Sequence, residues 1–294
     1  MISVVIPLYN KKECIVNTLN SVLGQSYTDF EVVIVDDGST DGSTELISTI
    51  KDHRIRLITQ NNGGPSSARN TGVKYALGDY IAFIDADDIW MPDFLKEMIR
   101  LIADFPDAII YGINYGRIEQ GRMICTETKP YRGYLENNWE SFPFFFCSSA
   151  TCCKKSAINK LGGFDARMTY GEDCDMWYRL LLEGKGAIDT QVLAYYNKDT
   201  LTSLTKYAYP LEKHIPFYID KYDKAREENP DFRRFFDEQM VYRLYPYLFI
   251  KDYRKQAKLL AKKLDYSLLK SSMRFRMKYP HLYKSIRSIR ERAQ

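Results

Sequence analysis

Three acidic segments stand out by residue type and spacing: Asp36-Asp37-Gly38-Ser39-Thr40-Asp41, Asp85-Ala86-Asp87-Asp88 and Gly171-Glu172-Asp173-Cys174-Asp175. Three carboxylates within four residues, as at 85–88, repel one another and raise each other's pKa unless a cation intervenes. An all-oxygen donor set selects a hard ion, Mg2+ or Mn2+, and such an ion can bridge a carboxylate to a pyrophosphate. The first segment also reads as a turn and a helix N-cap, because Asp, Gly and Ser favour both. Asp88, just before Ile89-Trp90-Met91-Pro92, reads as a cap for a helix begun by Pro92.

The third segment opens a helical pattern over Gly171 to Glu183. Met176, Trp177, Leu180 and Leu181 form the buried face, and Asp173 shares that side by its spacing from Trp177 and Leu180. Asp175, Arg179 and Glu183 step by four along the other side and read as a solvated charge ladder. One carboxylate is therefore expected to point inward from the first turn. Asn61-Asn62-Gly63-Gly64-Pro65-Ser66-Ser67-Ala68-Arg69-Asn70 is a loop feeding a helix start, with backbone N–H groups and a guanidinium suited to a phosphate. No G-x-G-x-x-G follows a strand and no G-x-x-x-x-G-K-[ST] is present, so the dinucleotide-binding and P-loop readings lose their main support.

Something must hold these segments together, and the apolar pattern says what. Ser3–Ile6, Glu31–Val35, Ile55–Ile58, Tyr80–Ile84 and Ala108–Tyr111 read as strands, several of them nearly continuous apolar runs buried on both faces. Ile15, Leu19, Val22 and Leu23, then Leu95, Met98, Ile99 and Ile102, fall at helical spacing between them. Alternating β and α predicts an α/β fold, a mostly parallel Rossmann-like sheet with helices on both faces. Ligands of such sheets sit outside the carboxyl ends of the strands, where the Asp clusters fall. Further along, a polar hairpin is predicted to turn at Gln120-Gly121. Ser148–Lys154 and Ala187–Tyr195 read as later strands, and Tyr207–Glu228, Phe232–Ile250, Tyr253–Leu264 and Ser267–Ile289 as helices interrupted at Pro210, Pro230 and Pro280. The expected organisation is one catalytic domain in two halves, 1–115 and 116–205, followed by a helical extension, 206–294.

With 294 residues, 45% hydrophobic and 27% charged, the chain can bury a sizeable core, and wholesale disorder is excluded. No apolar stretch nears the roughly 20 residues of a membrane helix. The opening Met-Ile-Ser-Val-Val-Ile meets Pro7 too soon to read as a secretory leader. Six cysteines without C-x-x-C spacing suit reduced thiols, so a cytoplasmic location is expected. Three histidines make a His-rich zinc site a poor reading. The net charge of +4 is unevenly spread: residues 251–294 carry 14 Lys and Arg against 3 Asp and Glu. Leu282, Ile286 and Ile289 form a stripe among Lys284, Arg287, Arg290 and Arg292. This basic end reads either as a peripheral anchor on the inner face of the cytoplasmic membrane or as helices packed on protein, a second copy in a homodimer included. Nucleic acid is not the expected partner, since the body is acidic and no binding module is recognisable. Phe142-Pro143-Phe144-Phe145-Phe146 reads as core or acceptor-site wall.

The motifs in their order resemble the inverting family 2 glycosyltransferases of the GT-A fold, in particular those of bacterial surface polysaccharides. The resemblance rests on Val5-Ile6-Pro7-Leu8-Tyr9-Asn10, Ser21-Val22-Leu23-Gly24-Gln25-Ser26, Val33 through Asp41, Ala68-Arg69-Asn70-Thr71-Gly72, Asp85-Ala86-Asp87-Asp88 and Gly171-Glu172-Asp173, from residue 2 to about 205. It implies that Pro7 and Tyr9 line the base and ribose pocket, with Tyr9 stacked on the base. It further implies that Asp37 accepts the uracil imide proton, favouring a UDP-sugar, and that Asn62 and Arg69 approach the ribose and diphosphate. Asp85 and Asp87 would be the Asp-x-Asp element that binds nucleotide-sugar and Mn2+ or Mg2+, with Asp87 the principal metal ligand. Asp173 would be the catalytic base. The acceptor class is a hydroxyl on a glycan or on a lipid-linked saccharide. No Q-x-x-R-W stretch follows Asp173, which implies addition of one sugar rather than processive synthesis. Nucleotidyl transfer would need a Gly-rich basic loop where Pro7-Leu8-Tyr9-Asn10 stands. The other alternative is a non-catalytic nucleotide-sugar scaffold whose basic helices bind a membrane or a partner.

Overall fold

The computed structural model describes residues 1–125, 128–137, 139, 146–200 and 210–284. The chain divides into two compact units, Met1–Ala208 and Tyr209–Gln294.

The first unit runs β1 (Ile2–Leu8), α1 (Ile15–Leu23), β2 (Phe30–Asp36), α2 (Ser43–Ser48), β3 (Ile55–Thr59), α3 (Pro65–Tyr75), β4 (Tyr80–Phe83), β5 (Ile89–Trp90), α4 (Phe94–Asp104), β6 (Ala108–Glu119), β7 (Arg122–Ile124), β8 (Arg132–Tyr134), β9 (Thr151–Lys154), α5 (Lys155–Lys160), α6 (Glu172–Glu183) and β10 (Lys185–Asn197). The strand order is β3-β2-β1-β4-β9-β6-β10-β5, with β7 on β6 and β8 on β10. The sheet is mixed. β3, β2, β1 and β4 are mutually parallel, and so are β6 and β10. Between these blocks β9 runs antiparallel to both neighbours. The β6–β7 hairpin turns at Gln120 and Gly121, both at positive φ (52° and 70°).

Strand alternation decides which helix covers which face. Ile2, Val4, Ile6 and Leu8 of β1, with Val32 and Ile34 of β2, share a core with Ile15, Leu19 and Val22 of α1 and Leu95, Met98 and Leu101 of α4. The opposite face of β1 takes α3 at close range. A Cβ on Gly72 would stand 2.3 Å from Val5 Cγ1, so only glycine lets this helix lie so near the strand.

The second unit holds α7 (Asp223–Glu228), α8 (Pro230–Leu244), α9 (Arg254–Ala261) and α10 (Ser271–Lys278). Its interior joins Tyr222, Phe232 and Phe236 with Met240, Val241 and Leu244. A buried Arg226–Asp237 ion pair at 2.9 Å lies beside them. Arg276 sits over the rings of Tyr242, Tyr245 and Tyr283. The helix expected over 207–228 is instead, where described, 3-10 turn at 215–222 and then the short α7. The backbone breaks at Tyr218, where φ is −104° and ψ 26°, so a regular helix does not continue through this stretch. Ile286, Ile289, Arg287, Arg290 and Arg292 of the expected anchor, and Phe142 to Phe145, lie outside the described residues. Among the described residues no helix is long and apolar enough to cross a membrane.

Candidate active site

Register places the chemistry on one edge. Leu8 pairs with Asp36 and Asp36 with Thr59, so β1, β2 and β3 end together. The chain leaving β4 stays beside β1, where the Ile84 N–H donates to the Val5 carbonyl (3.2 Å). Four loops therefore open on the same side: those after Leu8, Asp36, Thr59 and Phe83.

Asp36 behaves as the turn reading expects, accepting from the Ser39 N–H (3.0 Å) and the Thr44 hydroxyl. Asp37 is buried and shapes the next loop. Its Oδ1 accepts from Gln60 Nε2 (2.7 Å) and the Gly63 N–H (2.9 Å), and its Oδ2 from the Gly64 N–H (2.8 Å). Three of about four lone-pair sites of this carboxylate are thus engaged within the protein. The loop so held presents Asn62 to solvent, and Tyr9, 47% exposed, stands free after β1. Pro7 is half-buried.

The turn at 85–88 is clamped from beneath. The Asp85 N–H donates to Ser149 Oγ (3.0 Å), whose hydroxyl donates to Asp88 Oδ2, while Asp88 Oδ1 accepts from the Asn197 N–H (2.8 Å). Asp88 is fully buried, and its desolvation, with Asp87 and Asp85 beside it, pushes its pKa well up. It is a strut between the 148–150 turn, β10 and the 85–88 turn, not the cap expected from sequence; α4 begins later, at Phe94. Asp87 pairs with Lys11, Nζ to Oδ2 at 2.6 Å, and Thr200 adds a hydrogen bond. Burial raises its pKa and Lys11 opposes the rise.

Arg69, expected from sequence to approach the diphosphate, lies on α3. It is 3% exposed, lies over the Phe164 ring, and is engaged inside the protein: Nη2 to Asp85 Oδ1 at 2.8 Å and Nη1 to Glu172 Oε1 at 2.7 Å. A fork-shaped guanidinium suits two carboxylates held apart. Glu172 opens α6, so this bridge ties β4 to the helix that carries Asp173. Further ties join α3 to the same stretch: Ser66 Oγ to the Met168 carbonyl (2.9 Å), and Asn70 in a two-way bond with Phe164. Asp173 is half-buried, with Oδ1 accepting from the Cys174 N–H (2.7 Å) and Oδ2 from Ser148 Oγ (3.2 Å). Asp85 is thus tied through Arg69 to Glu172, next to Asp173, and Ser149 and Ser148 contact the 85–88 turn and Asp173 respectively, while Asp87 is held apart by Lys11.

Sequence reasoning assigned no role to Glu172 or Lys11. Burial raises the Glu172 pKa to about 7, with Arg69 pulling it down and Asp173 pushing it up. The solvated ladder is also corrected. Asp175 is fully buried and pairs with Arg179 (2.7 Å), which donates onward to the Leu161 and Gly163 carbonyls. The helix is covered on that side too, by the 161–163 turn after α5.

Among the described residues no group of three or more His, Cys, Asp or Glu converges as a metal cage. Asp85 and Asp87 nevertheless offer the hard oxygen donors that Mg2+ or Mn2+ takes when substrate phosphates and water complete the shell. The donor set fits an ion held jointly with a diphosphate.

Loops at the carboxyl edge of an α/β sheet, with acidic residues following two of its strands and opening one helix, are the arrangement of a GT-A type of fold. The solved Staphylococcus aureus TarS residues 1–349 in complex with UDP-GlcNAc share that fold, with TM-score 0.63 and 19% identity over 89% of this chain and 70% of that one. The family model "Glycosyl transferase family 2" matches residues 3–162, more than half of the chain. The chain belongs to glycosyl transferase family 2. An uncharacterized glycosyltransferase of Rickettsia felis is 34% identical over 65% of this chain and 32% of its own length. The Escherichia coli UDP-Glc:alpha-D-GlcNAc-diphosphoundecaprenol beta-1,3-glucosyltransferase WfgD is 34% identical over 47% of this chain and 56% of its own. The chain spans less than two thirds of the length of these curated relatives.

Proposed function

We propose that the protein transfers one sugar from a nucleoside diphosphate donor, UDP-sugar favoured, to a hydroxyl acceptor with inversion at the anomeric carbon. The observation that carries this reading is the single hydrogen-bonded network joining Asp85 to the first turn of α6, where Asp173 stands. Asp173 accepts the acceptor O–H proton as its oxygen bonds to the anomeric carbon, and the bond from that carbon to the donor phosphate breaks in the same displacement. The contacts of Asp173 with Ser148 and the Cys174 N–H orient its carboxylate. Asp87 and Asp85 are the residues to hold Mn2+ or Mg2+, an ion that neutralises the leaving diphosphate when bound. Tyr9, Pro7, Asp37 and Asn62 surround the nucleoside end, with Asp37 acting at least through the loop it holds. Arg69 acts from within, as the tie between Asp85 and α6.

WfgD acts with UDP-Glc on a lipid-diphosphate-linked sugar by its name, and TarS is solved with UDP-GlcNAc. These support a UDP-sugar donor and a glycan or lipid-linked acceptor in surface-polysaccharide synthesis. Exposed Lys255, Lys258, Leu259 and Lys262 on one side of the α9 region support contact with an anionic membrane. The test is transfer from a panel of UDP-sugars with Mn2+, comparing wild type with Asp173→Asn. The variant is expected to retain UDP binding and lose about 10²–10⁴-fold in rate. Undiminished transfer removes Asp173 from the mechanism.

A further inference from the structure

The ion pair of Lys11 with Asp87 is left over by the reaction as derived. The ammonium and carboxylate lie 2.6 Å apart and their side chains are 14% and 9% exposed. A carboxylate placed to meet a divalent ion is already balanced by a cation of the chain itself. The backbone around Lys11 is clamped. The Asn10 N–H donates to Ser39 Oγ (3.0 Å), the Lys11 N–H to Ser43 Oγ (3.2 Å) and the Lys12 N–H to Asp41 Oδ2 (2.9 Å). The Lys11 carbonyl accepts from the N–H groups of Cys14 and Ile15, leading into α1. Any movement of the charge is therefore a swing of the side-chain stem on a fixed backbone. Lysine suits such a swing: it carries a compact point charge with three rotatable donors and needs no bidentate geometry.

We propose that Lys11 is an exchangeable counter-ion. In the free protein it neutralises Asp87; with a nucleoside diphosphate bound, its ammonium turns to a diphosphate oxygen, and Asp87 would be left to hold the divalent ion. This rests on the metal-assisted donor reading above. It makes Lys11 a competitor of the ion in the free protein and a ligand of the diphosphate in the complex. Neutralising Lys11 then has opposite effects on the two ligands, a pattern that simple loss of local structure does not produce.

The experiment uses the full chain, wild type and Lys11→Gln, with Lys11→Met as a second neutral replacement. Free Mn2+ is followed by electron paramagnetic resonance without nucleotide, and UDP binding by calorimetry at saturating Mn2+. Both variants are expected to bind Mn2+ alone about tenfold more tightly, and UDP with Mn2+ about tenfold more weakly, than wild type. Mn2+ affinity that is unchanged or weaker in both variants, while wild type binds UDP with Mn2+, overturns the competitor role. Unchanged UDP affinity overturns the contact with diphosphate. Failure of wild type to bind UDP at all overturns the donor reading itself and the proposal with it.

Discussion

Glu172 offers a sharp test of the buried network, because its charge state is coupled to folding. Burial raises its pKa in the folded protein to about 7, from an ordinary value of 4.5. Between those values the folded protein keeps a proton that the unfolded chain releases. Wild-type stability therefore falls as pH rises from about 4.5 through about 7, and levels off above. At about 1.4 kcal/mol per pH unit the full span is worth about 3 kcal/mol. Glu172→Gln keeps the shape and the acceptor facing Arg69 but has no proton to lose. Relative to wild type it is expected to gain up to about 3 kcal/mol between pH 4.5 and pH 8. The three tryptophans, Trp90, Trp139 and Trp177, all lie in the first compact unit, so urea unfolding followed by tryptophan fluorescence reports that unit. A difference between variant and wild type that stays flat with pH, or moves in favour of wild type as pH rises, refutes the reasoning. It would mean that the ionised Glu172–Arg69 pair outweighs its desolvation.

Gly72→Ala sets a Cβ 2.3 Å from Val5 Cγ1, so a loss of about 1–3 kcal/mol is expected in the same urea assay, and α3 shifts away from β1. Asp37→Asn replaces one accepting oxygen by an NH2 donor facing donors of the 60–64 loop, from Gln60, Gly63 and Gly64. It is expected to cost about 1–3 kcal/mol and to weaken UDP binding more than it lowers the rate at saturating donor, which a KM-against-kcat comparison checks.

Local chemistry in one sequence already located the strands, because β-branched runs between turn residues can bury both faces in few other ways. It also placed the Asp clusters at strand ends, where a parallel sheet gathers its loops, and the Gln120-Gly121 turn between polar strand residues. The motif series carried the family. What periodicity could not supply was direction and partnership. Cys152 and Cys153 are apolar enough for any central strand, and only their pairing with β4 and β6 shows that this strand runs antiparallel to both. Asp175 and Arg179 have the spacing of a solvated pair, and it took the 161–163 turn lying over α6 to bury them. Arg69 and Glu172 are 103 residues apart, and nothing in either segment announces the other. Residue types and spacings report what a segment can do alone. Which opposite charges share a low-dielectric interior, and so which carboxylates are free for chemistry and which are engaged in holding it in place, is settled only when the sheet brings distant segments together.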